Sequence, residues 1–126
     1  MGQLGYTQGD LGWSELSTSN ADAAVKFYLA VVGWENKGEP CPGYHVVGRG
    51  DEMLAGISKI DGGNKTPGWM PYITVDDLDA ALAKVEKLGG SISQQATPLP
   101  EDSGRIAIIK DPQGVATGLA QYTKKS

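Results

Sequence analysis

One pattern of strand residues followed by an amphipathic helix and a glycine occurs twice in this sequence. The stretch over residues 13–33 recurs, displaced by 57 positions, over residues 70–90, so that the DAA of residues 22–24 falls on the DAA of residues 79–81. A repeat at a fixed spacing constrains the fold more than any single motif does, and two copies are too few for a solenoid. The repeat therefore predicts one pseudo-symmetric domain whose halves have the same order of elements.

The apolar residues of the two copies keep helical spacing. They recur at positions i, i+3, i+4 and i+7, which places them on one face of a helix. The equivalent pairs are Ala21 and Leu78, Ala24 and Ala81, Val25 and Leu82, Tyr28 and Val85, and Val31 and Leu88. We expect helices over residues 21–32 and 78–88, the first beginning after an N-cap at Asn20 and ending at Gly33. Asp76 or Asp77 is the expected N-cap of the second helix.

The segments around these helices alternate as strands do. The predicted strands cover residues 11–18, 34–37, 44–49, 53–59, 70–75, 91–95, 105–109 and 115–121. Turn residues connect the strands of two predicted hairpins. One turn lies at residues 50–52. The other lies at residues 111–114, where DPQG has the proline and glycine of a type I turn. Each half therefore has the order βαβββ, and the predicted fold class is α+β.

The domain organisation follows from the repeat and from one linker-like segment. Residues 61–68 (DGGNKTPG) are rich in glycine and polar residues and contain a proline, a composition typical of loops. We expect a flexible tail over residues 1–10 and a single domain over residues 11–126. Within that domain, module one covers residues 11–60 and module two covers residues 69–122.

Composition excludes some classes of partner. The net charge is −4 and the 11 basic residues are scattered, which argues against nucleic acid and suits a cationic ligand better. Cys41 is the single cysteine, so neither a disulfide framework nor a thiolate metal cluster is expected. The sequence contains no signal-peptide pattern and no apolar run long enough to cross a membrane. We therefore expect a cytoplasmic protein that binds neither nucleic acid nor membranes.

Short motifs within the repeated module occur in the order found in one superfamily. They are FY at residues 27–28, LGG at residues 88–90 and DPxG at residues 111–114. Because of these motifs and their order, the sequence resembles the vicinal oxygen chelate superfamily. This superfamily includes glyoxalase I, bleomycin-resistance proteins, fosfomycin-modifying enzymes and extradiol dioxygenases. The resemblance covers residues 11–122. It implies two curled mixed sheets, each forming a cup with helices outside, and a homodimer.

The resemblance also implies where a metal would bind. In metal-dependent members the ligands come from the first and last strands of each module, and these positions correspond to Trp13, Gly56, Met70 and Gly118. Tryptophan and glycine offer no side-chain lone pair to a divalent metal, and a lone thioether is a poor ligand for one. We therefore expect no metal and no other cofactor. Two large apolar groups and two glycines favour a flat or apolar ligand that approaches the backbone closely.

Three further residues are candidates for the same cup. Glu15 shares a strand face with Trp13, where a carboxylate can anchor a cationic ligand, pair with an internal Arg or Tyr, or act as a general base. Tyr72 is the counterpart of Glu15 in module two and either supplies a hydroxyl or is an ordinary half-buried strand tyrosine. His45 is the sole histidine, and the sequence does not determine on which face of its strand the side chain lies. A lone histidine is more often structural than catalytic.

These residues leave three functional hypotheses. The preferred one is a metal-free small-molecule-binding protein that resembles the bleomycin-resistance branch and holds an apolar or aromatic ligand, including a cationic one. The second is a lyase, isomerase or dioxygenase of the same superfamily, either with displaced metal ligands at Glu15 and His45 or with Glu15 as a base. The third is a sensor or a structural dimer subunit whose cup is filled by its own side chains.

Overall fold

The computed structural model, which describes residues 7–60 and 67–123, has the element order βαβββ twice. The chain divides into a first unit, Trp13–Met70, and a second unit formed by Met1–Gly12 and Pro71–Ser126. Each unit has one α-helix and its own group of four neighbouring strands with both parallel and antiparallel pairs. These features confirm the predicted α+β class and the predicted module.

The first module consists of four strands and one helix. The elements are β1 (Leu11–Thr18), α1 (Ala21–Val32), β2 (Glu35–Cys41), β3 (Tyr44–Arg49) and β4 (Glu52–Lys59). Their strand order is β2-β3-β4-β1, with β1 parallel to β4 and the other neighbours antiparallel. The parallel pair puts the strand before the helix next to the strand that closes the module.

Local chemistry fixes the ends of α1. Asn20 is extended at φ −144°, and its side chain accepts a hydrogen bond of 3.0 Å from the backbone N–H of Ala23. Gly33 is left-handed at φ 77°, and its N–H donates to the carbonyl of Leu29 at 3.2 Å. The predicted N-cap and stop are therefore confirmed, since an extended polar residue and a left-handed glycine satisfy the unpaired groups of the helix ends.

The core of the first unit lies between α1 and one face of the sheet. Its buried members are Leu16, Ala21, Val25, Val47, Ala55 and Ile57, with Tyr28 and Trp34 among the partly buried residues packed against them. Leu16 faces the helix as its strand position predicts. Side chains alternate along a strand, so the residues of β1, β3 and β4 that lie between the core residues point to the opposite face of the sheet.

Strand β2 is longer than the sequence predicts. The predicted strand ends at residue 37, whereas the observed strand continues to Cys41 through Pro40. Because β2 pairs only with β3 in this sheet, Pro40 lies in an edge strand. An edge strand tolerates proline, which has no N–H to donate to a neighbouring strand. Register shifts between Asn36 and Gly38 and between Gly38 and Cys41 accommodate the irregularity.

The second module repeats this order. Its elements are β5 (Gly68–Thr74), α2 (Leu78–Lys87), β6 (Ser91–Pro98), a 3₁₀ turn (Pro100–Asp102), β7 (Gly104–Lys110) and β8 (Ala116–Tyr122). The strand order is β5-β8-β7-β6, with β5 parallel to β8. Asp77 caps α2, because its side chain accepts a hydrogen bond of 3.0 Å from the N–H of Ala80. The core of the second unit contains Leu78, Leu82, Ala107 and Leu119. At 12 and 10 residues, the α-helices of the described segments are too short to span a bilayer.

Part of the predicted tail is hydrogen bonded. The N–H of Gly9 donates to the carbonyl of Thr74 and the N–H of Thr74 donates to the carbonyl of Asp10, both at 2.8 Å. The Gln8 side chain accepts from the N–H of Asp76 at 2.6 Å. Residues 7–10 are therefore attached to the second unit. The rest of the predicted tail, and residues 61–66 of the predicted linker, lie outside the described residues.

Four aromatic side chains form a cluster beside the end of α1. They are Phe27, Tyr28, Trp34 and Trp69, with neighbouring ring centroids 5.1 to 6.0 Å apart. Trp69 Nε1 donates to the hydroxyl of Tyr28 at 3.3 Å, and three of the ring pairs are edge-to-face. This geometry is the favourable one for aromatic quadrupoles. Trp34 and Trp69 therefore pack against Tyr28 of α1.

Candidate functional site

The sheet of the first unit has one face without α1, and it carries two of the predicted site residues. Leu16, Ala55 and Ile57 point into the core beneath α1. Because side chains alternate along β1, Trp13 and Glu15 point to the other face. We call this surface the open face, although it is partly covered and Trp13 is half-buried there.

Trp13 and Tyr44 are joined by a hydrogen bond on the open face. The indole Nε1 of Trp13 donates to the hydroxyl of Tyr44 at 3.1 Å. The phenol of Tyr44 lies directly over Gly56, so that a Cβ added to Gly56 would collide with its outer atoms. The glycine is therefore covered by a ring from the neighbouring strand, and the open gap that the sequence suggests is filled.

Glu15 and Ser58 flank this aromatic pair. Glu15 pairs with Gly56 in the parallel register of β1 and β4, and it is half-buried. Ser58 lies two residues after Gly56 on the same face, opposite Tyr44 in the antiparallel register, and only 8% of its surface is exposed. The open face thus brings together an indole, a phenol, a carboxylate and a buried hydroxyl.

His45 lies on the other face of the same sheet. Val47, two residues further along β3, belongs to the core, so His45 points to the same face as the core. His45 Nε2 lies 3.2 Å from Oδ1 of Asp22 in α1. The structure therefore does not bring His45 together with Trp13 or Glu15. Since opposite faces of one sheet cannot share a metal ion, Glu15 and His45 do not form the metal-binding pair that the second hypothesis requires.

The second unit has a corresponding arrangement built from one residue pair. Tyr72 and Gly118 are partners in the parallel register of β5 and β8, and the ring of Tyr72 occupies the space where a Cβ on Gly118 would lie. Tyr72 is 4% exposed, more buried than the half-buried strand tyrosine among the sequence alternatives. Met70 is half-buried in the same strand. Both glycines at the implied ligand positions are therefore covered by tyrosine rings.

The donor chemistry at the four implied metal positions does not fit a metal. Trp13, Gly56, Met70 and Gly118 offer one thioether between them and no carboxylate, imidazole or thiolate. Among residues 7–60 and 67–123, no three His, Cys, Asp or Glu side chains are grouped so as to hold a metal ion. The residues at these positions therefore do not form a site for a divalent metal ion.

The arginine side chains pair with carboxylates away from the open face. Arg105 in β7 donates from its two terminal nitrogens to the carboxylate of Asp79 in α2, at 3.2 and 3.1 Å. This bidentate pairing raises the pKa of Arg105 above its usual value. Arg49 pairs with Glu52 at 3.1 Å across the tip of the first hairpin. Both arginines therefore have structural partners, and neither marks a ligand site.

Two of the solvent-open depressions in the described part of the chain do not include the Trp13–Tyr44 pair. One of about 300 Å³ is lined by residues of β2 and its neighbours, including Lys37, Pro40, Val46 and Met53. The other, of about 540 Å³, lies along α2 and is lined by Gln8, Asp76, Ala80, Lys84 and Leu88 among others. None of the seven sequence-predicted site residues lines either depression.

The sequence analysis singles out neither Ser58 nor Tyr44, and Tyr44 is the larger omission. The sequence identifies it only as the first residue of a hairpin strand. Its contact with Gly56 follows from the register of β3 and β4, in which Tyr44 pairs with Ser58 and Val46 with Gly56. A tyrosine diagonal to a glycine on the same face is the recognisable signal, because aromatic rings cover glycines on neighbouring strands.

Comparison with known proteins identifies relatives over nearly the whole chain. The family model described as Glyoxalase/Bleomycin resistance protein/Dioxygenase superfamily matches residues 10–119. "Putative glyoxylase CFP32" of Mycobacterium tuberculosis is 37% identical over 94% of this chain and 48% of its own length. "Anthracycline biosynthesis protein DnrV" of Streptomyces peucetius is 32% identical over 90% of this chain and 42% of its own length. The chain therefore spans about half the length of these curated relatives.

A solved structure shares the fold at lower sequence identity. Methylmalonyl-CoA epimerase from Mycobacterium tuberculosis superposes with a TM-score of 0.64 over 98% of this chain and 93% of its own, at 19% identity. At this identity the similarity concerns the fold alone. It agrees with the βαβββ module of each unit.

Proposed function

Because this chain belongs to the Glyoxalase/Bleomycin resistance protein/Dioxygenase superfamily, we propose that it binds a small molecule without using a metal. The observation that carries the proposal is the pair of Trp13 and Tyr44 on the open face. An indole stands at an implied ligand position, and a phenol covers the glycine at another. Aromatic side chains bind flat apolar molecules by stacking and exclusion of water.

The proposed ligand is flat, aromatic and able to carry a positive charge. Trp13 supplies an indole for stacking, and Glu15 supplies a carboxylate on the same face. The net charge of −4 favours the approach of a cation. The name of the Streptomyces peucetius relative supports this class, because anthracyclines are planar polycyclic aromatic compounds that carry an amino sugar.

We also propose that two copies of the chain associate. The curated relatives are about twice the length that the chain covers in them. A pair of chains would supply a similar total length. Light scattering after size-exclusion chromatography would give about twice the monomer mass if the proposal is right, and the monomer mass at all concentrations would contradict it.

The binding proposal is tested by titration with daunorubicin, a fluorescent anthracycline, in the presence of EDTA. Stacking on Trp13 should quench the fluorescence of the probe, and Trp13→Ala should weaken binding about tenfold. Trp69→Ala is the matched control, because Trp69 belongs to the aromatic cluster beside α1 and not to the open face. Equal affinities of the wild type and Trp13→Ala would remove the central residue of the proposal.

A second candidate function is metal-independent catalysis with Glu15 as the base. It is favoured by the position of Glu15 beside Gly56 and by the name of the Mycobacterium tuberculosis relative, a glyoxylase. A carboxylate on a partly covered apolar face can act as a general base. The two functions separate with Glu15→Gln: loss of turnover with retained binding of the substrate would favour the enzyme.

The third candidate, a sensor or structural subunit with a filled cup, is favoured by the two tyrosine rings over Gly56 and Gly118. Rings that never move would leave no room for a ligand there. The measurement is hydrogen exchange of the β4 amides with and without daunorubicin. Increased protection on binding would support the ligand site, whereas identical exchange with no binding would favour the filled cup.

A further inference from the structure

A buried hydroxyl on the open face has no partner. Within the described residues, Ser58 Oγ is buried and makes no hydrogen bond, and 8% of the Ser58 surface is exposed. An unpaired hydroxyl removed from water lowers the stability of a protein, so such groups are rare and need an explanation. A role in binding is one explanation, because a ligand can supply the missing partner.

The fold itself does not require this hydroxyl. The closing strands of the two modules align as Ala-Gly-Ile-Ser over residues 55–58 and Thr-Gly-Leu-Ala over residues 117–120. Ala120, the counterpart of Ser58, is fully buried in the second unit. The same position in the same kind of strand is therefore filled by a side chain without a polar atom.

The ring of Tyr44 connects Ser58 to Trp13. The backbone of Tyr44 pairs with Ser58, while its hydroxyl lies over Gly56 and accepts from Trp13 Nε1. Two residues along a strand correspond to about 7 Å, so the ring extends from the Ser58 position towards the indole. If the ring swings away, it leaves a flat space of phenol size with one hydrogen-bond donor near each end.

We propose that the space beneath Tyr44 is a subsite for a quinone ring, whose two carbonyl oxygens accept hydrogen bonds from Ser58 Oγ and Trp13 Nε1. This inference rests on the proposed binding function and names the ligand class. The indole nitrogen only donates, and the serine hydroxyl can donate, so a ligand with acceptors at opposite edges satisfies both groups. Gly56 has no side chain, which lets the ring lie against the backbone.

Displacement of Tyr44 exchanges one acceptor of the Trp13 indole for another. Its hydroxyl bond to Trp13 would be replaced by a bond from the same indole to the ligand, so that the donor stays satisfied. The Ser58 hydroxyl gains a partner that it lacks in the ligand-free chain. The exchange therefore favours ligands with a second acceptor over hydrocarbons of the same shape.

The test compares duroquinone with durene, a hydrocarbon of the same ring and methyl pattern, by titration calorimetry. The methyl groups block addition of the exposed Cys41 thiol to the quinone. The wild type should bind duroquinone about tenfold more tightly than durene, and Ser58→Ala should reduce this preference about threefold without changing the affinity for durene. The control is Ser93→Ala, the same substitution on an exposed position of β6, which should change neither affinity.

A stability measurement gives a second readout without a ligand. Because Ser58→Ala removes an unpaired buried hydroxyl, the Tm of the ligand-free protein should rise by about 3 °C. A lower Tm, or a quinone preference that Ser58→Ala leaves unchanged, overturns the subsite. If Trp13→Ala weakens both probes and Ser58→Ala weakens neither, the binding function stands and only the quinone assignment fails. If neither probe binds the wild type, the quinone subsite is contradicted, and the daunorubicin titration decides the binding function on its own.

Discussion

The indole nitrogen of Trp13 donates a 3.1 Å hydrogen bond to the hydroxyl of Tyr44 above the backbone of Gly56. The three residues come from three neighbouring strands of the first unit. Trp13 and Gly56 stand at positions where the superfamily resemblance implies metal ligands, and neither can donate to a metal. An aromatic pair over a glycine therefore occupies a place where the resemblance implies a chelate in metal-dependent members.

Tyr44→Phe should loosen the cover of the open face. The variant removes the acceptor of the Trp13 indole, which should cost about 1 kcal/mol in the free energy of unfolding. A ring that is no longer bonded is easier to displace, so the affinity for duroquinone should rise. Urea denaturation and calorimetry measure the two effects. Weaker binding of the quinone by the variant would mean that the Tyr44 hydroxyl contacts the ligand directly.

Gly56→Ala and Gly118→Ala should differ in cost. At Gly56 the new methyl group meets the outer end of the Tyr44 ring, which can rotate away. At Gly118 it meets atoms near the root of the Tyr72 ring, and Tyr72 is 4% exposed. We expect about 1 kcal/mol of destabilisation for the first and about 3 kcal/mol for the second, as for overpacked cores. Equal costs by chemical denaturation would show that Tyr44 is as fixed as Tyr72.

Glu15→Gln separates the electrostatic part of binding from stacking. If the carboxylate contacts the cationic group of the ligand, the variant should bind daunorubicin about fivefold more weakly. It should bind N-acetyldaunorubicin, which lacks the charged amine, as tightly as the wild type does. Glu86→Gln, on the exposed face of α2, is the matched control. An equal loss for both probes would assign Glu15 a structural role.

Acid should remove a small stabilising contribution from Glu35. Its Oε1 accepts from Lys37 Nζ at 2.9 Å and from the N–H of Gly50 at 3.0 Å. These bonds, the one from Lys37 foremost, lower the pKa of Glu35 below 4.5. A carboxylate with a lowered pKa in the folded state stabilises it above the unfolded pKa, and this contribution disappears as the pH falls through the folded value.

The Glu35 effect is measured as the Tm between pH 7 and pH 3. Glu35→Gln should lower the Tm at pH 7 and should reduce the drop on acidification below about pH 4.5. Salt should weaken the difference, since Glu35 is exposed. Parallel Tm curves for the variant and the wild type would show that the hydrogen bonds do not contribute in solution.

The sequence predicts the elements whose ends depend on local chemistry. The bounds of α1 match residue for residue, because Asn20 and Gly33 satisfy the helix ends by themselves. The core position of Leu16 follows from alternation along one strand. Strand β2 was predicted too short, since the tolerance of Pro40 depends on the edge position of β2, which the local sequence does not contain.

The candidate site is only partly predictable for a related reason. Trp13 and Glu15 share a face through local alternation, which the sequence contains. The cover of Gly56 by Tyr44 and the placement of His45 against Asp22 depend on how β3 pairs with its neighbours. A bulge between Val47 and Gly48 shifts that register, and no single segment encodes it.

Metal content of the purified chain tests the central claim most directly. The untagged protein would be incubated with Zn²⁺, Ni²⁺, Mn²⁺ and Fe²⁺, dialysed exhaustively and analysed by elemental mass spectrometry. With Trp13, Gly56, Met70 and Gly118 at the implied positions, we predict less than about a tenth of an equivalent of any metal per chain. About one tightly held equivalent per chain would contradict metal-independent binding, and Glu15 would then be the first ligand to substitute.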